Sequence, residues 1–260
     1  MKIIFIGDIV GRPGRRVVQR FLPELVAEHN IDMVIANAEN CAGGTGATPA
    51  LIQELRNCGI HVFTLGNHTW RKNEMVKGID ALPDVARPAN YAPAAPGRGT
   101  VLHTLPDGTR AAVISLIGRI YMEPVDCPFL KVAQELKALP PETRVIVVDM
   151  HAEATSEKAA MAWHLDGRCT AVLGTHTHVQ TSDERILPEG AAFITDTGMC
   201  GPYNSILGVE SDRVISRLVT GMPRKWEVAQ GPAQFSAVIV DVDVKTGRAL
   251  SISRIHKIES

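Results

Sequence analysis

The segment LGTHTHVQ, residues 173–180, places His176 and His178 one residue apart behind a short apolar run. On an extended chain such residues point to the same side. A lone buried histidine usually hydrogen-bonds within a core, so the pair gains meaning only if other polar donors occupy equivalent positions. They do. KIIFIG runs into Asp8, DMVIANA into Glu39 and Asn40, HVFTLG into Asn67 and His68, and RVIVVDM into His151. A carboxylate that closes an apolar run, as Glu39 does, must meet a proton, a cationic partner or a metal. Together these side chains are the donor types of a two-ion hydrolytic centre: a bridging carboxylate, neutral oxygens and imidazoles around ions ~3.5–4 Å apart. No thiolate joins the set, which disfavours a structural zinc site. Mixed oxygen and nitrogen ligation leaves manganese, iron or zinc.

The elements that must position these donors follow from periodicity. IIFIG reads as a strand, and VVQRFLPELVAEH follows with Val17, Val18, Phe21, Leu22, Leu25 and Val26 at helical spacing; Pro23 is expected to kink or divide that helix. MVIANA is the second strand, and Thr48 caps a helix running to Cys58 with Pro49 at its first position. HVFTLG is the third strand, with a helix near Asn73 to Ala81 behind it. GTVLHTLPDGTRAAVISLIG reads as a hairpin closed by a Pro-Asp-Gly turn. A helix from Phe129 to Leu139, the strand RVIVVDM, a helix from Ser156 to Leu165 and the strand TAVLG resume the alternation. A second hairpin turns at Lys245, Thr246 and Gly247, and the Pro-rich RPANYAPAAPGRG reads as a surface loop. Alternating strands and helices imply a largely parallel sheet covered by helices. The expected fold is therefore α/β: a two-sheet β-sandwich flanked by helices, four layers in the order αββα, as a single domain over residues 1–260. Ligands of such sheets bind at the carboxyl ends of the strands, where the donors lie.

Composition narrows the function classes. A formal charge of -1 over 260 residues gives no footprint for a long nucleic acid or an anionic membrane. Cys41, Cys58, Cys127, Cys169 and Cys200 form no C-x-x-C pair, which fits a reducing compartment. The apolar run at Ile3–Ile6 is too short for a signal peptide, and no stretch approaches a membrane span. The expectation is a cytoplasmic, soluble protein; a homo-oligomer is left open.

The motif series "GD" at Gly7-Asp8, "GNH" at Gly66-Asn67-His68, the later His151 and "GTHTH" at residues 174–178 resembles the calcineurin-like metallophosphoesterase superfamily. The variant "AEN" at Ala38-Glu39-Asn40, with GDIVGRPGR at residues 7–15, resembles its YmdB-like branch, which is associated with phosphodiesterase activity on 2′,3′-cyclic nucleotides. Two departures matter. Asp8-Ile9-Val10 stands where many members carry Asp-x-His, and Glu39 stands for the usual bridging aspartate. The resemblance then implies Asp8, Glu39, Asn40 and His178 on one ion, and Glu39, Asn67, His151 and His176 on the other. Oxygen-rich ligation tilts the pair towards iron or manganese and away from a purely zinc enzyme.

The expected activity is a dinuclear-metal phosphodiesterase acting on small cyclic nucleotides, 2′,3′-cyclic first and 3′,5′-cyclic second. A hydroxide bridging the ions would attack phosphorus, and His68, beside Asn67 but outside both ligand sets, would protonate the leaving oxygen. The alternative is a non-catalytic nucleotide- or RNA-binding regulator on the same scaffold. A metal amidohydrolase would place H-x-H after the first strand, where Asp8 stands. Weaker signals are Arg12, Arg15 and Arg16 near a helix start, which either hold a phosphate or are solvated, and GGTGATP, residues 43–49, a loop at the site mouth. Asp149 and Asp196 are placed to support ligands from behind. His29, His61, His103, His164 and His256 have no ligand-like context.

Overall fold

A computed structural model describes residues 1–259. The chain opens with β1 (Lys2–Ile6), β2 (Asp8–Ile9), α1 (Gly11–His29), β3 (Met33–Asn37), α2 (Pro49–Arg56), β4 (Val62–Thr64), α3 (Asn73–Gly78) and β5 (Val85–Ala86). It continues through β6 (Thr100–Thr104), β7 (Arg110–Ile117), α4 (Pro128–Ala138), β8 (Val145–His151), α5 (Thr155–Leu165) and β9 (Ala171–Thr175). The last third holds β10 (Arg185–Ile186), β11 (Ala192–Ile194), β12 (Met199–Pro202), α6 (Ser211–Thr220), β13 (Ala233–Val242) and β14 (Ala249–Ile258).

Two sheets form. One runs β2-β12-β13-β1-β3-β4-β5 with β14 beside β13, the other β10-β11-β9-β8-β7-β6. β1, β3, β4 and β5 are parallel, as are β7, β8, β9 and β11. Both expected hairpins, β6–β7 and β13–β14, are antiparallel additions. The period of two along β1 decides the layering. Ile3 and Phe5 point into a core shared with Val113, Val147 and Leu173 of the opposing sheet. Ile4 and Ile6 point the other way, onto Val17, Val18, Phe21 and Leu22 of α1. The far face of the second sheet does the same: Ile114, Val148 and Val172 meet Val132 of α4 and Met161 and Leu165 of α5. The result is the αββα stack that the sequence predicts. Among the described residues no helix is long and apolar enough to cross a membrane.

Three local expectations need correction. Pro23 lies inside α1 without dividing it. Pro23 and Gln19, whose carbonyl loses its N–H partner, both lie on the exposed face of the helix, where the missing bond is tolerated. Asp8 does not end β1; it begins the separate short strand β2, which pairs with β12. The Pro-rich segment is a surface loop only in its second half. Arg87 and Asn90 are buried, and the Asn90 side chain donates to the Ile117 carbonyl at 2.8 Å while accepting from the Ile117 N–H at 2.9 Å. Elsewhere local chemistry wins: the Thr48 hydroxyl accepts from the Leu51 N–H at the start of α2, with Pro49 behind it.

Candidate metal centre

Parallel register gathers the donors. Ile117 pairs with His151 and His151 with Thr175, so β7, β8 and β9 end at one level. Asn37 pairs with Thr64 at the ends of β3 and β4. Asp8, Glu39 and Asn40 are buried beside these ends, His151 is fully buried, and His68, His176 and His178 are partly exposed to one cavity.

The donor atoms fall into two lobes that share Glu39. In the first, His178 Nε2 lies 3.7 Å from Asp8 Oδ1 and 3.2 Å from Asn40 Nδ2, which is 3.4 Å from Glu39 Oε1. In the second, His151 Nε2 lies 3.0 Å from Glu39 Oε1, 2.9 Å from Asn67 Oδ1 and 3.1 Å from His176 Nδ1. Ligands held ~2.0–2.2 Å from one ion stand ~3.0–3.5 Å from each other; the second lobe has about this spacing, and the first is looser, with His178 and Asp8 3.7 Å apart. Glu39, His151 and His176 each offer an atom within 4.8 Å of the others.

What lies behind each imidazole fixes which nitrogen faces inward. The Thr175 hydroxyl gives its proton to Asp149 Oδ1 at 2.6 Å, so it accepts from His151 Nδ1–H at 2.8 Å, leaving the His151 Nε2 lone pair to the site. His176 Nε2 meets the Glu153 carboxylate at 3.1 Å, which leaves Nδ1 free. His178 Nδ1 meets the Leu207 carbonyl at 3.0 Å, which leaves Nε2 free. Outer N–H groups held by oxygens, with inner lone pairs converging, are the arrangement of metal-ligating histidines. Burial lowers the pKa of His151 to about 4, and burial followed by the nearby His151 lowers His176 to about 4. Each ring is therefore neutral, with a single proton. Burial also raises Asp8, with Glu39 adding to the shift and His178 and His151 opposing it. Buried carboxylates beside neutral imidazoles fit a cation, and this donor chemistry is the test the residues pass.

Asn40 needs one adjustment. Its Oδ1 lies 2.6 Å from His68 Nδ1, so its Nδ2 faces Asp8, Glu39 and His178. An amide nitrogen carrying two hydrogens is not a ligand; rotation of the amide would bring Oδ1 to the first lobe. His68 itself is anchored by its backbone N–H on Glu39 Oε2 at 2.8 Å, and burial lowers its pKa against the pull of Glu39. Gly66 is required at its place, since an added Cβ would collide with the His151 ring and sit 2.6 Å from Glu39 Oε2.

The turn carrying the histidine pair has its own support. His176 and His178 have φ of 95° and 64°, a conformation that costs non-glycine residues of order 1–3 kcal/mol each. Between them, Thr177 donates to Asp196 Oδ2 from its N–H at 3.0 Å and its hydroxyl at 2.6 Å. The fully buried Lys158 ammonium lies on the same oxygen at 2.8 Å. Asp149 reaches the centre through Thr175 and Asp196 through Thr177, so both expected supports act one residue removed. Arg15 and Arg16 are engaged within the protein: Arg15 pairs with Glu54 and the Cys41 carbonyl, Arg16 with Glu259. Gly43, Gly44 and Thr45 line the cavity mouth, as expected of that loop.

Sequence reasoning missed much of the wall, including Arg71, Glu153, Leu207, Arg217, Trp226 and Val228. Glu153 could have been suspected two residues after His151. Trp226 stands alone in a polar stretch, and no local pattern marks it.

A helix-flanked pair of sheets with this centre across their strand ends defines a metallophosphoesterase-type fold. The comparisons agree and go further. The sequence profile described as YmdB-like protein matches residues 4–255. The chain is 45% identical over 255 residues to the 2′,3′-cyclic-nucleotide 2′-phosphodiesterase of Bacillus subtilis, covering 98% of this chain and 96% of that protein. A crystal structure of a hypothetical protein from Thermus thermophilus superposes with a TM-score of 0.94 at 40% identity, over all of both chains. That of a novel phosphatase from Mycoplasma pneumoniae gives 0.93 at 32% identity, over 99% of this chain and 93% of the other. The chain belongs to the YmdB-like family.

Proposed function

We propose that this protein hydrolyses 2′,3′-cyclic nucleotides at a two-ion centre, with Asp8, Glu39, Asn40 and His178 holding one ion and Glu39, Asn67, His151 and His176 the other. The observation that carries the reading is the pair of donor lobes meeting at Glu39, each imbued with inward lone pairs by an oxygen behind each imidazole. The relative named as a 2′,3′-cyclic-nucleotide 2′-phosphodiesterase supports the substrate class. The oxygen-rich set favours iron or manganese.

When bound, the ions would lower the pKa of water towards neutrality and offset charge on the phosphoryl oxygens. The chain's own residues do the rest. Asn40 Oδ1, 2.6 Å from His68 Nδ1, accepts from its N–H, and with a second lone pair it would also face the ion after a turn of the side chain. Protonated at Nε2 as well, His68 is an imidazolium with a proton to give. Water adds across the ester bond: its oxygen joins phosphorus in line, the ring P–O bond breaks, and His68 Nε2 gives its proton to the leaving oxygen and becomes neutral imidazole. The proton released by the water restores the imidazolium. The ring opens to a monophosphate. The apolar strand ends beneath the donors exclude other water, and the Asp196-held turn keeps His176 and His178 in place.

The test is metal analysis of the purified protein with a panel of 2′,3′-cyclic, 3′,5′-cyclic and linear diesters, assayed before and after chelation. About two transition-metal ions per chain and chelation-sensitive cleavage of the 2′,3′-cyclic members are expected. Full activity in metal-free protein would refute the reading.

A further inference from the structure

The cavity above the donors has a volume of about 840 Å³, within the ~300–1,000 Å³ of ligand sites. Its floor carries Glu39, Asn40, His68, His176 and His178, which deal with phosphate chemistry. A phosphodiester alone needs no apolar wall, yet Leu207, Val209, Val228 and Trp226 supply one. Trp226 is 54% exposed, and the Arg217 guanidinium lies over its ring, 5.2 Å from the centroid. The segment carrying Trp226 is fixed, not trailing. The Glu210 N–H donates to the Glu227 carbonyl at 3.0 Å, the Ala229 N–H to the Gly208 carbonyl at 3.0 Å, and Val209 bridges Val228.

We infer that Trp226, steadied by Arg217, is the nucleobase subsite of this cavity, so that the enzyme distinguishes a nucleoside cyclic phosphate from a base-free one. The inference rests on the phosphodiesterase reading above. A planar base is the apolar part of a nucleotide, every base has a π-face, and an indole held half-open by backbone hydrogen bonds is a platform ordered in advance. Purines, with the larger face, gain more than pyrimidines. Trp226 touches the base and not the reacting atoms, so it acts on binding and leaves the chemical step alone.

Calorimetric titration of the intact protein with adenosine 3′-monophosphate and with ribose 3-phosphate separates base from phosphate, because the two ligands share sugar and phosphate. Trp226→Ala should weaken the nucleotide roughly 5- to 150-fold, the usual worth of one base–aromatic stack, and leave ribose 3-phosphate unchanged. Trp226→Phe should keep most of the preference. In turnover, Trp226→Ala should raise KM for 2′,3′-cyclic AMP, spare kcat, and leave metal content intact. An equal effect on both ligands, or none on either, overturns the subsite even if diesters are cleaved. Conversely, a Trp226-dependent preference for the nucleotide in a protein that hydrolyses no diester keeps the subsite and removes the phosphodiesterase reading.

Discussion

Lys158 sits at a position that helical spacing turns inward with Met161, Ala162 and Leu165, and both it and Asp196 are fully buried, 2.8 Å apart. Removing the cation as Lys158→Met keeps the volume and strands Asp196 without a counter-charge. Breaking a buried pair in this way costs ~3–5 kcal/mol, a large share of the ~5–15 kcal/mol of a typical folded protein. The melting temperature should fall by roughly 6–20 °C, taking ~2–4 °C per kcal/mol for a chain near this size. Asp196→Asn alone leaves the ammonium unpaired and should cost as much. The double variant Lys158→Met/Asp196→Asn holds no stranded charge, and its amide oxygen still accepts from the Thr177 N–H or hydroxyl. It should therefore recover ~1–3 kcal/mol relative to the sum of the singles. Urea unfolding of the four proteins at one pH measures this coupling. The site gives a second readout. Lys158→Met leaves the bonds from Asp196 to Thr177 in place and should retain metal while folded. Asp196→Ala frees Thr177, so the turn can relax from its positive φ values and metal should be lost without global unfolding. Additive single losses, or Lys158→Met melting with the wild type, would show that the pair does not support the turn.

Four further substitutions divide the labour at the centre. Glu39→Gln should bring metal content well below two ions per chain by elemental analysis and abolish turnover, since a neutral amide bridges cations poorly; full occupancy with unchanged rates would remove Glu39 from its shared role. Thr175→Val takes away the acceptor of His151 Nδ1–H at 2.8 Å and should weaken metal binding ~10–100-fold in competition with a chelator; unchanged affinity would mean that Thr175 does not orient the ring. His68→Ala should retain metal and lower kcat by ~10²–10⁴ on a cyclic nucleotide, with a smaller loss on a nitrophenyl ester whose leaving group needs no proton. His151→Ala should lose metal and activity together on both substrates. Equal losses for His68→Ala on the two substrates would contradict its role as proton donor.

The amino-acid sequence by itself determined the kind of fold and put forward the candidate donors. Strand and helix periods are local properties, so the apolar runs ending in Asp8, Glu39, Asn67, His151 and His176 could be read one after another. Parallel pairing then had to bring their ends together. Thr48 with Pro49, and the turns of the two hairpins, were legible for the same reason: a cap or turn is complete within a few residues. What tertiary structure alone decided depends on partners far along the chain. The inward nitrogen of His151 is set by Thr175, and that of His178 by the Leu207 carbonyl. Arg15 and Arg16 found their partners in Glu54 and Glu259. Lys158 could be buried only because Asp196 met it there, and Asn90 because the Ile117 and Asp126 carbonyls accept its N–H groups. Trp226 joined the cavity through backbone bonds to residues 208 and 210. Hydrophobic period records which face of an element turns inward; it carries no record of which distant group will satisfy a buried polar atom, and at this centre those pairings set the chemistry.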